Sequence, residues 1–340
     1  MHKLSALYLR SALLAERQRL ALREILRLFH QISISVVLLK GAALRVLVYK
    51  NPALRPMCDV DLLVRRSELK CAAQTLVAHG YSPRVPIAKQ EFYEREHHHL
   101  APLVSIDGLV VVELHSDLIP PAQRGRLLVT VDDIWQRAEA APAVSLPAFV
   151  PCPAHLLLHL CLHSLRSHCI QPPLACLSDL SQSVSALDVD WQELVETACR
   201  WNAERYAYLG LMLAESFAPG GTPALVLSRL KASAGFRGAE HAAVLGAARY
   251  AVLRPVAHRR IPLWLQVELW SILMEPLGVV PKFLAAAKSI YNGLVRSSRA
   301  KFANFPEALM PYYALGVHPF FLLCRAVGAA TKKRDASAKL

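Results

Sequence analysis

Leucine, alanine and isoleucine recur at three- and four-residue intervals from Lys3 to Gln31, with Arg10, Arg17, Arg19, Arg23 and Arg27 spread among them. That spacing predicts an amphipathic helix laying one face on the rest of the protein. The period then shortens: 35–39 is a β-branched and aliphatic run of strand type, 42–49 returns to helical spacing, and 58–64 is apolar except for Asp59 and Asp61. Gly41 therefore falls at a strand-to-helix corner. A further strand over 109–115 follows Asp107-Gly108, a hairpin signal. If those two residues form a two-residue turn, 102 opposes 113 and 100 opposes 115, which sets His98 on the face of Glu113 and His115. A one-residue slip selects His97 and His99 instead.

Beyond this region the pattern is helical. From Ala140 to Leu165 there is no Asp, Glu, Lys or Arg, but prolines interrupt the stretch, so it reads as a linker followed by a buried helix rather than a membrane span. His155, His159 and His163 recur every four residues as core or site-facing positions, with zinc held together with Cys161 or Cys169 as the alternative. Helices continue from Trp191 to Phe217, break at Gly220-Gly221-Thr222-Pro223, and resume in later Leu-, Ala- and Trp-rich segments. The apolar stretch from Pro311 to Cys324 carries two prolines and is too short to span a bilayer, so it reads as a packed terminal helix. The fold class is α+β: an N-terminal helix (1–30), a sheet-bearing unit (31–145), a mainly helical domain (146–330) and a disordered tail (331–340).

A chain of 340 residues, 54% hydrophobic, is long enough to fill more than one core. Its eight cysteines form no C-x-x-C pair, and the arginines of the first helix argue against a secretory signal, so reduced thiols and a cytoplasmic location are expected. Charge changes the picture of the last third. Residues 1–228 hold 22 Lys and Arg against 21 Asp and Glu, whereas 229–340 hold 17 against 5, and the net charge is +13. Trp264, Trp270, Tyr312 and Tyr313 accompany that basic excess, which suits an acidic acceptor, nucleic acid or an anionic membrane surface, or else a solvated face with no partner.

The chemistry gathers around the corner and the acidic strand. A helix starting near Gly41 offers unpaired N–H groups and the positive end of its dipole to an anion, and Lys40 adds a full charge. Asp59 and Asp61, two apart on a strand, project to one side about 7 Å apart, and such hard oxygen ligands suit Mg²⁺ or Mn²⁺ shared with substrate phosphates. Arg55 just upstream is placed to neutralise a phosphate. Glu113 supplies a third carboxylate, with His115 on the same face and His98 as a further acceptor-side or supporting group.

The order Lys40-Gly41, then Arg55-Pro56-x-x-Asp59-x-Asp61-Leu-Leu-Val, then a helix ending at Gly80-Tyr81, then the histidine-rich strand and Val112-Glu113-Leu114-His115, resembles the uncharacterised nucleotidyltransferase family of the polymerase-beta-type superfamily. Leu177-Ser178-Asp179-Leu180 and Val189-Asp190-Trp191 are similar to its helical second half. The resemblance implies a small mixed sheet flanked by helices, Asp59, Asp61 and Glu113 as a metal triad, and Gly41 at the corner that receives the triphosphate of an NTP. It further implies transfer of an NMP group to a hydroxyl on a small molecule or biosynthetic intermediate. Modification of protein or RNA in the manner of toxin-antitoxin relatives is the first alternative, and a non-catalytic nucleotide-binding scaffold the second. Ala42 departs from the superfamily, which commonly has a hydroxyl residue after the glycine; Lys40 stands where it could compensate.

Overall fold

In the computed structural model, which describes residues 2–236 apart from 87–89, 91, 92, 96, 143, 145 and 168–173, seven short strands form one mixed sheet. They are β1 (Val37–Leu38), β2 (Val60–Leu63), β3 (Ser82–Pro83), β4 (Leu103–Val104), β5 (Val111–His115), β6 (Glu139–Ala140) and β7 (Phe149–Val150), in the spatial order β3-β4-β5-β2-β1-β7-β6. The two central strands, β2 and β5, run parallel, and β1 lies antiparallel on the other side of β2. Val60, Leu62, Leu63, Val112 and Leu114 are buried, as expected for strands covered on both faces. The polar residues of these two strands, Asp61, Glu113 and His115, are therefore exceptions to an apolar core.

Helix α1 (His2–Gln31) buries Ala15, Gln18, Ala21, Ile25, Leu26 and Phe29, a three-to-four-residue stripe, whereas Leu4, Leu7, Leu9 and Leu13 are exposed. The amphipathic helix read from the sequence thus buries its apolar stripe along its second half, while its first half is tied to the 51–53 segment by the Ser11 hydroxyl donating to the Ala53 carbonyl at 2.5 Å and by Asn51 donating to the Tyr8 hydroxyl at 3.0 Å. Gln18 anchors it: its Nε2 donates to the Met57 carbonyl at 3.1 Å and its Oε1 accepts from Arg45 Nη1 at 2.7 Å. Around the sheet follow α2 (Lys40–Leu47), α3 (Leu69–Ala78), α4 (Pro121–Arg124) and α5 (Val131–Gln136). The helical part comprises α6 (Pro153–Leu162), α7 (Leu174–Ala186), α8 (Trp191–Arg200), α9 (Glu204–Phe217) and α10 (Ala224–Ala234). Helix α6 is buried on every face from Ala154 to Leu162, which is why its sequence is apolar all round. It meets α9 closely at Gly210, where a Cβ would lie 2.5 Å from Cys161 Sγ and 3.2 Å from its Cα.

Local boundaries differ from expectation in four places. The strands expected over 35–39 and 58–64 contract to the residues that find ladder partners, Val37–Leu38 and Val60–Leu63, and α2 begins at Lys40 rather than Ala42. The hairpin loop is four residues, 106–109, not two. The Asp107 side chain accepts from Ser105 Oγ and from the Leu109 N–H, and Gly108 takes the left-handed φ of +71°. Because the longer loop keeps the same centre, Leu103 still opposes Val112, the expected register.

The chain divides into two compact units, 1–261 and 262–340, and every described residue belongs to the first. The basic stretch after 236, the terminal helix of 311–324 and the tail of 331–340 lie outside the described residues. No described helix is long and apolar enough to cross a membrane.

Candidate functional site

The chain leaves β1 beside the acidic strand: the Leu39 N–H donates to the Asp61 carbonyl at 3.1 Å. Lys40 then adopts φ +43°, a left-handed conformation that costs a residue bearing a Cβ on the order of 1–2 kcal/mol. That turn starts α2 and brings Lys40 Nζ to 2.7 Å from Asp61 Oδ1. Parallel pairing of β2 and β5 sets Asp61 directly opposite Glu113, and His115 follows two residues on along the same face. His115 Nε2 lies 2.8 Å from the same Asp61 oxygen and 3.6 Å from Glu113 Oε2. Asp59, just before β2 and two residues from Asp61, is half-buried at the edge of this group.

These groups titrate as one electrostatic unit. Burial pushes the Asp61 carboxyl up, but Lys40 and His115 outweigh it and hold Asp61 ionised well below the usual carboxylate range. Burial also opposes the charges on Lys40 and His115, yet the carboxylates overcome it and raise both. Asp59 goes the other way: burial, then repulsion from Asp61 and Glu113, lifts it to about 6. Two cationic side chains thus answer three carboxyls, and Asp59 carries the unbalanced remainder.

The histidine segment, expected as a strand, forms only an isolated bridge at His99, and it closes one side. The register that pairs Leu103 with Val112 shifts by one residue at the far end, where His99 bridges His115. Both alternatives read from the sequence are realised in part: the His99 ring centroid is 5.1 Å from that of His115 and the His98 centroid is 4.9 Å. His99 Nδ1 donates to the Leu100 carbonyl at 2.7 Å, leaving its Nε2 3.7 Å from Glu113 Oε2. Burial keeps His99 neutral, with its pKa lowered to about 4, and drives the pKa of His98 far lower. From α6, His159 is also buried and neutral, at about 3 through burial and then the nearby charges of Lys40 and His115. His155 instead lies 5.3 Å, centroid to centroid, from the Trp201 ring and 3.6 Å from Glu193. The stripe of His155, His159 and His163 does not converge on a metal-sized cluster among the described residues, and Cys169 lies outside them.

Two phosphate candidates have other partners. Arg55 forms a forked ion pair with Asp179 of α7, with Nε at 2.8 and 3.0 Å and Nη2 at 2.7 Å, and Tyr49 donates to the same carboxylate at 2.8 Å. Its guanidinium ties the segment before β2 to the helical part. The missing side chain of Gly41 makes room for protein: a Cβ there would lie 2.6 Å from Met57 Sδ. Asp179 is the residue whose role was not read from the sequence, whereas His159 takes the core, site-facing position expected of it. The signal for Asp179 was present, because it is the sole acid between Glu139 and Asp188, and a lone charge in an apolar helix needs a buried partner.

Among the described residues, two groups bring three ligand atoms close enough for one ion: Asp61, Glu113 and His115, and His97, His98 and His99. A family model described as uncharacterised nucleotidyltransferase matches residues 2–219. No curated protein matches the chain.

Proposed function

As the chain belongs to the uncharacterised nucleotidyltransferase family, we propose that its nucleotidyl transfer takes place at Lys40, Asp59, Asp61 and Glu113, from an NTP to a hydroxyl acceptor, with a divalent cation. The observation that carries the reading is Asp61 facing Glu113 across parallel strands, with Asp59 two residues away and repelled by both. Such a set fits a divalent ion, which the three carboxyls would hold and which would supply charge to the triphosphate and acidity to the acceptor hydroxyl.

The residues divide the work. The acceptor oxygen bonds to the α-phosphorus, the bond from that phosphorus to the bridging oxygen breaks, and pyrophosphate leaves. Asp59, the half-buried carboxylate at the edge of the group, is placed to take the hydroxyl proton at the oxygen that the ion leaves free. Lys40 sits at the start of α2, where its ammonium can pass from Asp61 to the arriving phosphates. Arg55 is a positioning residue, acting through the Asp179 pair.

The purified chain, incubated with each α-labelled NTP and Mg²⁺ or Mn²⁺, should transfer label to a hydroxyl compound. Arms containing small-molecule extract, total RNA and total protein identify the acceptor class. Asp59→Ala and Asp61→Ala variants should lose the transfer; a doubly substituted protein that labels its acceptor at the wild-type rate would overturn the proposal.

A further inference from the structure

We propose that the cavity between α1, α2 and the sheet binds a small organic carboxylate with an apolar body, seated against Arg45. The site lies across β2 from the carboxyl group described above and does not depend on the nucleotidyl-transfer reading.

The cavity holds about 360 Å³, within the range of pockets that take small molecules, roughly 300–1,000 Å³. Its walls are mostly apolar: Ala15, Leu22 and Leu26 come from α1, Ala42 and Val46 from α2, and Val60 from β2. Successive residues of a strand face opposite sides, so Val60 turns away from the side that Asp61 shares with Glu113 and His115. None of Lys40, Asp59, Asp61 and Glu113 lines the cavity.

Arg45 sets the charge of the ligand. It lines the cavity from α2, where its Nε donates to the Arg55 carbonyl at 3.0 Å and its Nη1 to Gln18 Oε1 at 2.7 Å, both neutral acceptors. Its Nη2 is buried without a hydrogen-bond partner, and no carboxylate among the described residues pairs with it. Burial, then repulsion from Arg55, lowers its pKa to about 10, so the guanidinium still carries its charge at neutral pH. A largely buried cation without a counter-charge costs free energy that an anion in the cavity would return. Gln18 has nothing more to give, because its Nε2 is donated to the Met57 carbonyl. On the α1 wall, Arg19 is held by a forked pair with Glu16 at 2.8 and 2.7 Å, which offsets both charges, whereas Arg23 has no carboxylate partner among the described residues. Two unpaired cations thus border an apolar interior. One carboxylate matches them better than a phosphate dianion, which needs more donors than such walls supply.

The test uses the full chain without nucleotide, with 2-naphthoate as the probe. In titration calorimetry 2-naphthoate should bind at least about tenfold more tightly than 2-naphthylmethanol, which keeps the rings and lacks the charge, and more tightly than 2-naphthyl phosphate. Amide hydrogen exchange of the wild-type chain should show added protection over 12–26 and 42–46 when 2-naphthoate is present, a readout that needs no variant. Arg45→Met should weaken binding by about tenfold or more. Ala12→Trp, which fills the cavity from its α1 wall, should abolish binding, and Arg10→Gln, an exposed α1 cation outside the cavity, should leave it unchanged. No binding of 2-naphthoate, equal affinity for the acid and the alcohol, tighter binding of the phosphate, or protection confined to other segments would each overturn the proposal. Because no arm requires turnover, naphthoate binding in a chain that transfers no label removes the transfer reading alone, and label transfer without naphthoate binding removes this one.

Discussion

Replacing Asp179 by alanine removes a carboxylate that joins the helical part to the segment leading into the acidic strand. Arg55 then keeps only the Pro56 carbonyl on Nη1, at 2.5 Å, and Tyr49 keeps only Ser178, at 3.4 Å. The side chains of Arg55 and Asp179 are 16% and 3% exposed, so the guanidinium is stranded largely out of water. Breaking a buried pair from one side costs about 3–5 kcal/mol, and the residual exposure of Arg55 places this variant near the lower end, at ~3 kcal/mol. Asp179→Asn, which keeps the shape and one acceptor oxygen, should lose about 2 kcal/mol. The double variant Arg55→Met/Asp179→Leu removes both charges together and should fall well short of the sum of the single losses, with a coupling of roughly 1.5 kcal/mol or more. Urea unfolding followed by circular dichroism at neutral pH measures all of these. A loss below about 1 kcal/mol for Asp179→Ala, or additive single losses, would refute the bracing role and return Arg55 to the list of groups free to meet a phosphate.

Three further outcomes follow from the packing and the histidines. Gly41→Ala should destabilise by about 1–3 kcal/mol because its Cβ would press on buried Met57, and Met57→Ala should restore part of the loss in the same urea titration. Gly210→Ala should cost at least as much, and Cys161→Ala should not rescue it fully, because the added Cβ also meets the Cys161 backbone Cα at 3.2 Å. For pH, His159 is held neutral down to about 3 in the folded protein, whereas the unfolded chain takes up that proton below 6.5. The unfolded state therefore binds more protons between those values, and stability should fall as pH drops through them by about 1.4 kcal/mol per pH unit for this one proton. A His159→Leu variant should show a shallower acid limb in unfolding midpoints recorded from pH 7 to 4; an unchanged slope would show that His159 is not buried neutral.

Adjacent residues and periodicity carried a large share of this protein. The strand-glycine-helix corner, the acidic strand, the Asp107-Gly108 turn and the all-round apolar helix depend on contacts within a few residues, so the sequence by itself determined them to within one or two positions. It also determined that Asp61 and Glu113 lie on strands and that His115 shares the face of Glu113, because a period of two leaves no other choice. What it could not specify was how strands distant along the chain align. Only the parallel register of β2 with β5 placed Asp61 opposite Glu113, and only the one-residue shift between the β4–β5 ladder and the His99 bridge brought His99 beside His115. The pairing of Arg55 with Asp179, 124 residues apart, gave a phosphate candidate a carboxylate partner in the helical part, and packing of α6 carried His159 beside the charges of Lys40 and His115. Each of these is a long-range choice made by burial: a charge or imidazole enclosed by the core must find whatever partner the folded topology brings near, and that partner is set by three-dimensional packing rather than by spacing along the chain.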